Sequence, residues 1–160
     1  MPATCIFRLN GKRISTLDCL GFGSVLAFSG NDIYVNDPGS TAVPKNGPIP
    51  RGKYYIVARQ SGGRHGGIVD AVEDAVNGTR REEWFALYTT VPPIGDFLTI
   101  KGVRRNNFRL HPVGYWGISE GCITLPSVGS FSALRTWLRS QQTAKIPGTQ
   151  IDYYGTVTVQ

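Results

Sequence analysis

Asn46-Gly47-Pro48-Ile49-Pro50-Arg51-Gly52-Lys53-Tyr54-Tyr55-Ile56-Val57-Ala58 sets a rigid, irregular stretch against a run of aromatic and β-branched residues. Proline and glycine over 46–52 break any regular element. Residues 53–58 carry the side chains that suit a pleated, half-buried surface, so they predict a strand. The same pattern recurs outward from this point. Upstream, Val25-Leu26-Ala27-Phe28 is a short apolar run closed by Ser29-Gly30-Asn31, and Asn36-Asp37-Pro38-Gly39 is a turn. Downstream, Trp84–Tyr88, Phe97–Ile100, Phe108–His111 and Cys122–Leu125 read as short strands, and Ile151–Val159 alternates as another.

Near the start, Cys5–Leu9 and Arg13–Leu17 flank Asn10-Gly11, a dipeptide suited to a two-residue hairpin turn. That turn would pair position i with position 21 minus i and set Cys5 against Thr16. A Cys5–Cys19 bridge is then not expected. The three cysteines indicate no disulfide scaffold. Ser61–Gly67 is a glycine-rich loop holding His65. Beyond it, Ile68, Val69, Val72 and Val76 fit a short helical stripe closed by Asn77-Gly78. The strongest helix spans Ser127 to Gln141. Ser127 can cap it, and Val128, Phe131, Leu134 and Leu138 fall on one face.

The chain has 160 residues, 41% hydrophobic and 18% charged, enough for one domain with a real core. Its 20 glycines and 10 prolines favour a turn-rich, mainly β fold. The expected architecture is mainly β (β+α): a β-sandwich or mixed sheet with one helix packed on it, as a single domain over 1–160. No run of about 18 apolar residues exists to span a membrane. The N-terminal residues have no charged start followed by an apolar stretch, so no secretory signal is expected. The net charge of +6 suits an anionic partner such as nucleic acid, a membrane surface or cell-wall polymer, or simply gives a generally basic surface, which charge alone favours. Adjacent basic pairs such as Arg80-Arg81 and Arg104-Arg105 are scattered and build no nucleic-acid footprint.

Chemistry concentrates in Arg109-Leu110-His111-Pro112-Val113-Gly114-Tyr115-Trp116-Gly117-Ile118-Ser119-Glu120-Gly121-Cys122-Ile123-Thr124. A thiol nucleophile needs an imidazole to take its proton and main-chain N–H groups beside it for a developing oxyanion. Gly121 permits a tight turn and close substrate approach before Cys122. Ser119 can fix that turn. A lone cysteine is more often a buried small hydrophobe, and it is the Ser-x-Gly-Cys context with His111 upstream that points to catalysis. His65 is a rival base, read as a solvated or lid residue. Two histidines and three scattered cysteines give no zinc-ligand spacing. No metal and no cofactor is called for.

His111 with Ser119-Glu120-Gly121-Cys122 resembles the His…Ser-x-Gly-Cys signature of L,D-transpeptidases (the YkuD-like family). Gly47–Tyr54 resembles that family's Thr-Pro-x-Gly-x-(Phe/Tyr) segment, with Ile49 in place of threonine. Phe28-Ser29-Gly30-Asn31, Asn46–Pro50 and Gly117–Leu125 together resemble a subgroup, the L,D-transpeptidase-like toxins of type VI secretion systems. The resemblance implies L,D-carboxypeptidase or transpeptidase chemistry on peptidoglycan stem peptides through a thioester. It makes Cys122 the nucleophile and His111 the base, the latter oriented by a backbone carbonyl. Gly121 and Ser119 shape the site. Arg109, two residues before His111 on the same strand face, is either a contact for a substrate carboxylate or an ordinary surface ion pair, and Tyr115 and Trp116 either wall a substrate groove or pack the loop. It also implies a cognate immunity protein, a secretion machinery, synthesis in the cytoplasm without a signal peptide, and action in the target's periplasm. Another Cys-His amidase or endopeptidase, or a non-catalytic wall-binding module, are the alternatives.

Overall fold

The computed structural model describes residues 1–59, 83–114 and 121–160. Expectations for His65, the Ile68–Val76 stripe, Tyr115, Trp116 and Ser119 lie outside the described residues. Eleven strands and one α-helix are described: β1 (Ala3–Phe7), β2 (Ser15–Cys19), β3 (Gly23–Ala27), β4 (Gly52–Ala58), β5 (Phe85–Thr89), β6 (Phe97–Ile100), β7 (Val103–Asn106), β8 (Arg109–Pro112), β9 (Ile123–Leu125), α1 (Val128–Arg139), β10 (Ala144–Lys145) and β11 (Asp152–Val159).

Nine strands form one mixed sheet in the order β3-β2-β1-β11-β4-β5-β8-β9, with β10 on β11; β6 and β7 make a separate hairpin. Two pairs are parallel, β1 with β11 and β8 with β9. The sheet curls until its edges meet. Phe28, just past β3, exchanges two backbone hydrogen bonds with Thr124 of β9 (2.9 and 2.8 Å), which brings the sheet close to a barrel. The fold is therefore mainly β with a single described helix.

Alternation decides what fills the interior. Cys5 and Phe7 of β1, Leu17 of β2, Tyr54 and Ile56 of β4, Phe85 and Leu87 of β5, and Val157 and Val159 of β11 are buried in one cluster. Helix α1 covers it with Phe131, Leu134 and Leu138, each worth roughly 2–3 kcal/mol of apolar burial. Ser127 caps this helix, its hydroxyl accepting from the Ser130 amide at 3.1 Å. Val128, expected on the apolar face, is the first residue of the helix and is 55% exposed.

The N-terminal hairpin corrects the expected register. Cys5 pairs with Cys19, not Thr16, and the two form a disulfide with a Cα–Cα distance of 4.1 Å inside the core. Asn10-Gly11 does not act as a two-residue turn. The Asn10 side chain accepts from the Lys12 amide and donates to the Ile14 carbonyl. Asn36 holds the same loop from outside: its carbonyl accepts from the Gly11 amide, and its side-chain amide donates to the Lys12 carbonyl. The connection widens to residues 8–14, which moves the pairing by three positions and aligns the cysteines.

Candidate active site

His111 lies on β8 and is buried among neighbours that define its ring. Its partner in the parallel register is Thr124 of β9. Nδ1 lies 2.7 Å from the Pro112 carbonyl, which can only accept, so in the neutral ring Nδ1 carries the proton. Nε2 keeps its lone pair, and the Thr124 hydroxyl faces it at 3.3 Å. Trp84 stacks on the imidazole with centroids 4.3 Å apart and planes 23° apart, which fixes the ring's tilt. The backbone-carbonyl partner expected for His111 is thus present as Pro112.

Cys122 sits two positions before Thr124, one strand period from the His111–Thr124 pair. Strand geometry puts such diagonal neighbours about 8 Å apart at Cα, within side-chain reach. Cys122 is buried, takes no part in the disulfide, and directs its thiol to the Asn107 carbonyl at 3.5 Å. Gly121 before it has φ +83, a conformation that side-chain-bearing residues avoid. Arg109, two residues before His111, is half-buried, with its guanidinium 2.5 Å from the Asp96 carboxylate and 2.9 Å from the Phe108 carbonyl. Its charge is already answered within the protein. Among the described residues no cluster of histidine, cysteine and carboxylate side chains converges to hold a metal.

The separated motif segments meet in space. The Ser29 hydroxyl accepts from the Ile49 amide at 2.8 Å, and the Asn31 amide donates to the Asn46 carbonyl at 2.8 Å. Phe28–Asn31 is thereby stitched to Asn46–Pro50. Arg105 of β7 then joins this layer to the cysteine turn. It is only 3% exposed. Its guanidinium donates to the carbonyls of Thr41, Pro48 (3.2 Å) and Gly47 (2.8 Å). Gly47 has no room for a Cβ, which would collide with the Ser40 and Val43 carbonyls. A Cβ on Gly121 would lie 2.5 Å from Arg105 Nη2. Burial lowers the guanidinium from its ordinary pKa, while Tyr54 and Cys122 nearby draw it back up. Burial also pushes the Tyr54 hydroxyl well above its usual range. Arg105 was not among the residues expected here. The available signal was the alternation Val103-Arg104-Arg105-Asn106, which sets Arg105 on the face of Val103.

Fold and site together define a class: a curled mixed sheet that brings a buried cysteine and a carbonyl-held histidine to the edge where the sheet meets itself. The model of one family, the Tlde1 domain, matches residues 23–149, from the start of β3 past the end of α1. The chain belongs to this Tlde1-domain family of antibacterial type VI secretion effectors. No curated protein and no solved structure matches the chain. Among the described residues no helix is long and apolar enough to cross a membrane.

Proposed function

We propose that this effector is a cysteine-dependent L,D-carboxypeptidase and L,D-transpeptidase acting on peptidoglycan stem peptides. The observation that carries the reading is the His111 geometry: an imidazole whose Nδ1 proton is held by a backbone carbonyl, with Nε2 left basic, one strand period from a cysteine that follows a positive-φ glycine.

In this mechanism His111 takes the Cys122 proton, and the sulfur attacks the carbonyl carbon of the third stem residue. The carbonyl oxygen becomes an oxyanion facing the main-chain N–H groups of Gly121 and Cys122. The C–N bond breaks, the imidazolium returns its proton to the departing D-amino acid, and a thioester remains. Water, deprotonated by His111, releases a tripeptide and restores the thiol. A D-amino acid arriving instead gives exchange, and a neighbouring stem amine gives a cross-link. Arg109 meets a substrate carboxylate only in competition with Asp96. The setting is the periplasm of a target bacterium, after export from a producer that keeps an immunity protein over the cleft.

Purified protein mixed with muropeptides, with products resolved by mass, tests this. Tetrapeptide stems should be trimmed or exchanged, and Cys122→Ala and His111→Ala should each lose about a thousandfold in rate or more. Stems that are neither trimmed nor exchanged refute the reading. Cleavage at another bond points to an amidase or endopeptidase, and full toxicity of Cys122→Ala points to a wall-binding module.

A further inference from the structure

A charge buried this deeply needs a reason. Moving a guanidinium out of water costs several kcal/mol unless its donors are satisfied and its charge is useful. Arg105 meets the first condition through three carbonyls drawn from one loop, those of Thr41, Gly47 and Pro48. Carbonyls satisfy its N–H donors without neutralising its charge, so the positive charge persists inside the protein. No carboxylate is hydrogen-bonded to it among its described contacts.

The orientation of that charge is what matters. Nη2 lies against the Gly121 backbone so closely that a methyl group there would overlap it. Gly121 is the residue before Cys122, and the guanidinium and the sulfur interact electrostatically. Two influences oppose it: burial of the sulfur disfavours a charge there, and the Asn107 carbonyl accepts a hydrogen bond from the thiol and so favours the neutral form. Among the described residues the charged and titratable groups on the elements around the sulfur and guanidinium include His111 and Arg109 on β8, the latter paired with Asp96, and Arg105 on β7 and Tyr54 on β4.

We propose that Arg105 is the positioning residue of the cysteine site, clamping the 41–48 loop onto the Gly121-Cys122 turn and holding Cys122 toward the thiolate. The proposal rests on Cys122 acting as a nucleophile, and not on which acyl group it accepts. Two consequences belong to one side chain. The fork, anchored on the loop carbonyls, sets how the Gly121 backbone packs against the loop, and the charge sets how readily the thiol ionises. A lysine would supply the charge without the fork. A methionine would supply the bulk without either.

The test is a pH titration of thiolate absorbance in the far ultraviolet, with Cys122→Ala as the blank. Cys5 and Cys19 are joined, so the difference signal belongs to Cys122. No substrate is needed, so the result stands apart from the peptidoglycan assay. An ordinary thiol titrates near about 8.5. The wild-type midpoint should fall below that value, and Arg105→Met should raise it by about one pH unit or more. Arg105→Lys should keep most of the depression while lowering kcat, since the turn loses its fork. A folded Arg105→Met with an unmoved midpoint overturns the proposal. If Arg105→Met does not fold, His111→Ala decides: its midpoint should stay below the ordinary value because Arg105 remains. A His111→Ala midpoint at or above the ordinary value overturns the proposal, as does a wild-type midpoint there.

Discussion

Gly121→Ala and Gly102→Ala make a matched pair of perturbations. Both glycines have positive φ, +83 and +76. Alanine in that region costs about 1–2 kcal/mol from backbone sterics alone. At Gly102 nothing lies within 4 Å of the added methyl, so that cost stands by itself. At Gly121 the methyl would lie 2.5 Å from Arg105 Nη2. An exposed arginine would swing aside, but this one is 3% exposed and tied to three carbonyls. Displacing it loses at least one charged hydrogen bond, about 2 kcal/mol more. Gly121→Ala should therefore destabilise by about 3–4 kcal/mol against about 1–2 for Gly102→Ala. Urea unfolding followed by tryptophan fluorescence measures both, with an unchanged slope as the sign that the unfolded states match. In an Arg105→Met background the excess should shrink, because the methionine is tied to none of those carbonyls and can shift away from the added methyl. Equal costs for the two glycine variants in the wild-type background would refute the assignment of Arg105 as a fixed strut.

Replacing both Cys5 and Cys19 by alanine should lower stability by about 3 kcal/mol, the loop-closure value for a separation of 14 residues, with thermal denaturation as the measurement; an unchanged midpoint would show the disulfide to be thermodynamically idle. Asp18 gives a pH signature. The Ser24 hydroxyl and the Arg8 guanidinium, each at 2.5 Å, hold its carboxyl below the ordinary carboxylate value. Its contribution is present above that ordinary value and disappears as pH falls through the lowered one. Asp18→Asn should cost under about 1 kcal/mol at neutral pH, given solvent screening, and nothing in strong acid; an acid limb identical to wild type would refute this.

The strands were legible because aromatic and β-branched runs stand between glycine and proline punctuation. β4, β5, β6 and β11 fall within a residue of the expected spans. β7 and β10 were not anticipated: Val103–Asn106 is mostly charged and polar, and Ala144–Lys145 is too short to show a period. The hairpin register was misread because Asn10-Gly11 carries a strong local signal that Asn36, distant in the chain, overrides. Cys122 and His111 were singled out through their local motif, and the fold sets His111 on β8 and Cys122 just before its neighbour β9. Arg105 was not, since its partners lie 57, 58 and 64 positions away and a carbonyl leaves no mark in a sequence. Only folding tells a basic residue that will be entombed from one that will be solvated.

The meeting of Phe28 with Thr124 has a bearing on how firmly the ring of strands is closed. Elsewhere around the ring, neighbouring strands share runs of paired residues; here one couple holds the two edges. Thr124 belongs to that couple and also faces the histidine, so the clasp and the imidazole share a neighbour. Parting two hydrogen bonds would open the ring while the longer ladders stayed paired, and faster deuterium uptake at the Phe28 and Thr124 amides than along β4 would report that opening.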